Sequence, residues 1–185
     1  VGLGNPGRRY ERTRHNLGAE AVARLASRHG ARLRASRALR SLTGEARVGD
    51  HLLALALPQT FMNDSGLAVA ALVRRYGIED LGHLVVVHDE LDLPVGRVKV
   101  KVGGGTAGHN GLRSLQAHLH GTGFVRVRIG IGKPPGRQAG VDYVLSEPRV
   151  KERSELDVAV EEAADAVEAI LAEGPAAAMS RFNAS

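Results

Sequence analysis

His15 and Asp89 are the two side chains of this sequence best suited to move a proton. His15 stands in Thr13-Arg14-His15-Asn16, just before an amphipathic helical stretch, and Asp89 follows the apolar run Leu84-Val85-Val86-Val87. A buried strand of an α/β protein delivers its first polar residues to the sheet edge, where ligands bind. If the first strand and the strand over 84–88 are parallel neighbours, His15 meets Asp89. A carboxylate that accepts from one imidazole nitrogen fixes the tautomer and raises the basicity of the other. Each residue also has a plainer use alone, as a helix-start histidine or a strand-end cap. Cysteine is absent, so disulfides and thiolate chemistry are excluded. Ser65, in Asn63-Asp64-Ser65-Gly66, lacks the G-x-S-x-G elbow of a serine nucleophile. A His–Asp pair without such a nucleophile most naturally activates water as a general base. His88, Asp89, Glu90, Asp92 and His109 offer metal-binding groups. Neighbours on a strand point to opposite faces, however, and no H-x-x-x-H spacing occurs, so no metal is expected.

A second kind of chemistry is written in residues 96–114, GRVKVKVGGGTAGHNGLRS. Lys99 and Lys101 share one face of an alternating run, while Val98, Val100 and Val102 take the other. Gly103, Gly104, Gly105 and Gly108 follow, a backbone able to bend, bare its N–H groups and admit a ligand closely. Asn110 stands where a new apolar period begins, as a helix N-cap would. Arg126 and Arg128 repeat the alternation on a further strand, and the two basic faces together suit a phosphate. Asn5, Asn63 and Asn110 stand beside turns; each could serve simply as a cap, and together they could supply neutral donors to a carbonyl, an oxyanion or a water. Phe61 and Met62 are apolar residues on a loop, suited equally to a cleft wall and to filling a gap in the core. Residues 2–7 and 103–108 both match G-x-G-x-x-G, but neither has the helix start and following acid that a dinucleotide site requires. No nucleotide or other cofactor is expected.

Several elements must hold these groups. Strands are predicted near 1–4, 42–48, 51–57, 84–88, 97–102 and 125–131, and helices near 17–29, 65–76, 110–119 and 152–173, with a short helix opened by Pro175. Gly49-Asp50 reads as a hairpin turn and 132–140 as an exposed loop. The interleaving implies an α/β fold: a single three-layer domain over 1–185, with a twisted mixed β-sheet flanked by helices. Val1 falls inside a predicted strand, so residues are expected to precede it. The chain carries a net charge of +5, unevenly spread. The helical segment 152–185 holds eight acidic and two basic residues, leaving 23 basic and 12 acidic before it. A polyanion is the expected partner of that basic part. Aromatic residues are few and Trp is absent, so base stacking is expected to contribute little. No membrane-length apolar run or signal peptide is evident, and a cytoplasmic location is expected.

Taken together, VGLGNPG, YERTRHNLG, PQTFMNDSG, VVHDELDLPVG, KVGGGTAGHNGLRS and RVRIGIGKP occur in the order and spacing of the bacterial peptidyl-tRNA hydrolases, which this sequence strongly resembles over 1–148 and more loosely beyond. The resemblance implies a monomeric, metal-independent, cytoplasmic enzyme that cleaves the ester between a peptide and the tRNA 3′-terminal ribose. It implies His15 as the catalytic base and Asp89 as the acid that holds it, with Asn5 choosing peptidyl over free aminoacyl substrates. Tyr10, Phe61, Asn63 and Asn110 match positions that contact the tRNA end or the peptide, and Met62 a cleft wall. Lys99, Lys101 and Arg128 match positions that hold phosphate near the acceptor stem. Gly103, Gly104, Gly105 and Gly108 match a mobile gate, in which Thr106-Ala107 occupies a variable spot. The final FNAS departs from the family's basic tail. A non-catalytic RNA-binding protein on the same fold is the alternative expectation.

Overall fold

Among the described residues, apolar runs account for five of six strands, and six helices accompany them. The computed structural model describes residues 1–184. The strands are β1 (Arg34–Ser36), β2 (Ser41–Val48), β3 (His51–Pro58), β4 (Val85–Glu90), β5 (Val98–Val102) and β6 (Val125–Gly130). The helices are α1 (Leu17–Arg28), α2 (Ser65–Arg75), α3 (Asn110–Leu119), α4 (Gly140–Val144), α5 (Val150–Glu173) and α6 (Pro175–Phe182). Short 3-10 turns cover Arg8–Tyr10, Arg14–Asn16, Met62–Asp64 and Leu81–His83. Two elements escaped the sequence reading. β1 is a three-residue edge strand without an apolar pattern, and α4 begins where the predicted loop ends.

β1, β2 and β3 form an antiparallel sheet. In the second sheet, ordered β4-β6-β5, β6 runs parallel to β4 and antiparallel to β5. The predicted first strand is an isolated parallel bridge between Gly2 and Val87 rather than a regular strand. It nevertheless joins the two halves: Gly2 N–H donates to Ala56 O on β3, and Leu3 N–H donates to Val87 O on β4. The expected mixed sheet is thus two three-stranded sheets linked through the N-terminal segment.

Helices cover both faces. Val87, Val98, Val100, Val127 and Ile129 pack with Leu17, Leu25, Leu156, Ala163 and Phe182 from α1, α5 and α6. On the other side Leu3, Val86 and Phe124 pack with Val69, Leu112 and Leu115 from α2 and α3. Strand periodicity therefore sends Val87 and Asp89 to the α1 side, and His88, Lys99, Lys101, Arg126 and Arg128 to the α3 side. Gly18 sets the closest contact in this packing, because a Cβ there would lie 2.1 Å from Val87 O. The first turn of α1 therefore rests directly on β4, two residues from Asp89.

Asn183, just after α6, finishes the outer edge of β5. Its Oδ1 accepts from Val100 N–H and its Nδ2 donates to Val100 O, each at 2.8 Å. Both free backbone groups of that edge residue are thereby satisfied.

Candidate active site

The Arg14–Asn16 turn is fixed on both sides. Buried Arg14 donates to Tyr143 O at 3.3 Å, to Ser146 Oγ at 2.5 Å and to Glu152 Oε2 at 2.9 Å. Asn16 holds the N-terminal loop, accepting from Asn5 N–H and donating to Asn5 O, both at 2.9 Å. Asn5 Oδ1 in turn accepts from Met62 N–H at 2.7 Å. The Asn5–Asn16 pairing was not foreseen. It is visible only once the first loop and the start of α1 lie side by side.

Between these anchors His15 meets Asp89, as the expected parallel arrangement requires. His15 Nδ1 lies 3.0 and 2.9 Å from the two carboxylate oxygens of Asp89. Among the described residues its Nε2 has no protein partner, and it is not sealed from solvent. His109 also reaches Asp89, with Nε2 2.9 Å from Oδ1. The sequence offers His109 only as a metal-binding group. Its signal was its place at the end of the glycine loop, where a helix cap was assigned one residue later, to Asn110.

The structure corrects that assignment: His109 is the N-cap of α3, and its side chain accepts from Leu112 N–H at 3.3 Å. This contact decides the roles of the two imidazoles. A backbone N–H can only donate, so His109 Nδ1 is unprotonated and Nε2 carries the proton given to Asp89. Both His109 nitrogens are occupied, whereas His15 donates through Nδ1 and keeps Nε2 free. The free imidazole nitrogen available as a base is on His15.

Electrostatics agree with the geometry. Burial pulls the His15 pKa down, but the Asp89 charge and hydrogen bond outweigh it and leave the value above 6.5. Burial would raise the Asp89 pKa, yet the two facing imidazoles hold it well below the ordinary carboxylate value. His88 lies behind them, with Nδ1 donating to Asp89 O at 2.7 Å and its ring 5.1 Å from that of His109. Full burial, aided by the field of His109, pushes its pKa down to about 3, and His88 is neutral.

His15, Asp89 and His109 also form a possible cation cage, with donor atoms within 4.8 Å of one another. Their nitrogens are engaged with the carboxylate at hydrogen-bond lengths. Metal ligation would require the same atoms to converge, deprotonated, at about 2.0–2.2 Å from a common point.

The remaining expected residues divide into two groups. Met62 is buried, Asn63 and Phe61 are exposed beside it, and Asn110 is exposed at the start of α3. Tyr10 meets Phe61 edge-on at 6.3 Å between ring centres. Few aromatics are present, but these two meet at the protein surface, which composition alone did not suggest. Lys99 and Lys101 pair in register with Arg128 and Arg126. Lys99, Lys101 and Arg128 are half-buried, and Arg128 lies 4.0 Å from Glu90. Arg126 departs from expectation. It is 2 % exposed, and its fork donates to Gly105 O at 2.5 Å and Gly104 O at 2.7 Å. Here the glycine loop turns carbonyls inward to an arginine, so Arg126 cannot join Arg128 in a phosphate clamp.

A cavity of about 650 Å³ bounded by Leu25, Leu55, Tyr76, Val85 and Ile170 opens at the opposite end of β4. It contains none of the side chains just described. Among the described residues, no helix is long and apolar enough to cross a membrane.

Comparison with known proteins decides the family. The sequence model described as peptidyl-tRNA hydrolase matches residues 1–185. The chain belongs to the peptidyl-tRNA hydrolase family. It is 52 % identical to the peptidyl-tRNA hydrolase of Rubrobacter xylanophilus, with 100 % of this chain and 99 % of that protein covered. It is 45 % identical to the enzyme of Cutibacterium acnes, covering 99 % of this chain and 96 % of that one. Among solved structures, peptidyl-tRNA hydrolase from Acinetobacter baumannii matches with a TM-score of 0.93 and 38 % identity, covering 100 % of this chain and 93 % of that chain. Family membership agrees with the resemblance read from the six sequence segments and with the α/β architecture.

Proposed function

We propose that this member of the peptidyl-tRNA hydrolase family cleaves the ester joining a peptide, or an N-blocked amino acid, to the 3′-terminal ribose of tRNA, with His15 as general base. The observation that carries the reading is an imidazole whose Nδ1 is bonded to a buried carboxylate while Nε2 stays free. His15 Nε2 takes a proton from water as the water oxygen attacks the ester carbonyl. Asp89 steadies the imidazolium that forms. Asn63, Asn110 and nearby N–H groups receive the oxyanion. The tetrahedral intermediate collapses, the ribose oxygen leaves with the proton from His15, and the peptide departs as a carboxylic acid. An ester leaving group requires no Lewis acid.

Asn5 and Met62 line the peptide side, while Tyr10 and Phe61 offer ring faces to the terminal nucleotide. Lys99, Lys101 and Arg128 hold acceptor-stem phosphate through largely sequence-independent attraction. The loop of Gly103, Gly104, Gly105 and Gly108 gates the cleft. The enzyme acts as a monomer in the cytoplasm, where its substrate arises in translation.

The test is release of N-acetyl-amino acid from N-acetyl-aminoacyl-tRNA by wild type and His15→Ala, with a chelator present and unblocked aminoacyl-tRNA as the control. Cleavage of the blocked substrate alone, lost in the variant, is the expected result. Binding without cleavage by the wild type overturns the enzymatic reading in favour of an RNA-binding module. Activity abolished by the chelator and restored by a divalent cation overturns the metal-free mechanism and gives the His15–Asp89–His109 group to a metal.

A further inference from the structure

We propose that Arg126 is a positioning residue: it latches the glycine loop to the sheet and so keeps His109 in contact with Asp89. The proposal rests on the hydrolase reading above, and it takes Arg126 out of the phosphate-binding set to which its sequence pattern assigned it.

Four observations carry it. Arg126 is almost fully buried, so its fork is not presented to an incoming phosphate. Both terminal nitrogens are already used, donating to Gly105 O and Gly104 O. Hydrogen bonds from a charged donor are roughly twice as strong as neutral ones, and a fork that spans two successive carbonyls fixes direction as well as distance. The guanidinium also lies 4.9 Å from the centre of the Phe124 ring, which supports its plane from beneath.

The loop itself has little else to hold it. Among the described residues, Arg126 is the only side chain that bonds residues 103–108. Backbone contacts secure only the ends: Gly103 N–H donates to Phe124 O, and His109 N–H donates to Thr106 O. Gly104 has φ +103°, and a Cβ there would stand 2.7 Å from Lys101 Nζ. The positive φ favours glycine at the residue whose carbonyl turns toward Arg126, while the flexible end of Lys101 could move aside. Four residues beyond Gly105, His109 caps α3 and bonds Asp89. Loosening the latch lets the loop rise and carry His109 away from the carboxylate that also orients His15.

A phosphate ligand and a latch fail differently. Arg126→Gln and Arg126→Lys are compared with wild type and Arg128→Ala on two substrates: N-acetyl-aminoacyl-tRNA, and an N-acetyl-aminoacyl ester of adenosine that has no stem phosphates. Amide hydrogen exchange is followed at residues 103–109 and, as a folding control, along β6. Arg126→Gln is expected to lower kcat about tenfold or more on both substrates, with KM and its salt dependence unchanged. Loop amides should exchange about 10–10²-fold faster, the factor set by losing a charge-assisted hydrogen bond, while β6 stays protected. Arg126→Lys should recover part of the lost kcat, because it keeps the charge and one donor.

A raised KM with flattened salt dependence and intact kcat, the pattern expected of Arg128→Ala, would return Arg126 to phosphate binding and overturn the proposal. Equal loss of protection in the loop and β6, or no change in loop exchange, overturns it as well. Failure of the hydrolase reading looks different: the wild type then cleaves neither substrate, while the loop-exchange contrast still reports on the latch.

Discussion

The cluster at the end of β4 and the half-buried face of β5 and β6 both gather basic side chains, but only the first has a carboxylate in direct contact. His15 and His109 share buried Asp89 at 2.9–3.0 Å, whereas Arg128 reaches Glu90 only at 4.0 Å. A third region, the seam of α1 against α5, is different again. There Arg28 is met by Glu161, Asp165 and Glu168, and His29 by Glu168. Counter-ions therefore separate three uses of positive charge. One carboxylate inside the fold tunes a base, a row of acids on α5 ties down a helix, and cations left without close partners are available to a polyanion. Rate and affinity should be separable by mutation.

The sharpest test of that separation is His15→Ala, which should lower kcat by about 10²–10⁴-fold, the usual worth of a positioned general base, with KM little changed. Steady-state hydrolysis of N-acetyl-aminoacyl-tRNA checks it, and near-normal kcat would remove His15 from the mechanism. Asp89→Asn follows, with a loss of about 10²-fold or more in kcat, because an amide can present a donor to Nδ1 and select the wrong tautomer. A KM change as large as the kcat change would instead show that Asp89 mainly supports the fold.

The acid limb of the pH profile sharpens the comparison within the cluster. His15 must be unprotonated to act, so kcat should rise with pH through a value above 6.5 and then level off. Stability follows two opposed groups. His15, with its pKa raised, contributes stability below 6.5 that is lost as pH climbs through its folded value. His88, lowered to about 3, withdraws about 1.4 kcal/mol per pH unit as pH falls below 6.5 toward that value. Urea unfolding across pH 4–7 of wild type and His88→Asn reads the second term, and an unchanged slope in the variant would rule His88 out as its source.

On the open face, Lys99→Ala and Arg128→Ala should each raise KM several-fold and reduce the salt slope by about 1, leaving kcat alone. Smallest of all, Arg28→Ala should cost about 1 kcal/mol of stability or less and leave both kinetic constants and the salt slope untouched. A salt slope that responds to Arg28 would undo the division between seam and binding face.

Much of this arrangement was legible in the sequence because it is periodic or sits at an element boundary. Valine alternation placed Lys99 and Lys101 on one face, and the apolar run before Asp89 brought it to the sheet end where His15 waits. Contacts that depend on distant loops were not legible. Arg126 and Arg128 share one alternation, yet the glycine loop folds over only the first, and periodicity says nothing about what covers a face. The capping role of His109 is not legible because the sequence points to Asn110 as the cap, and only the Leu112 contact separates the two. β1 was missed because three residues beside a turn carry no period.

The partners that fix Arg14 also have a temporal meaning. They lie 129 to 138 residues further along the chain, on α4, the segment after it and the start of α5. On a growing polypeptide the imidazole of His15 is made early but its mount is made late. The turn that carries His15 therefore gains these side-chain anchors only once the chain has been made as far as Glu152.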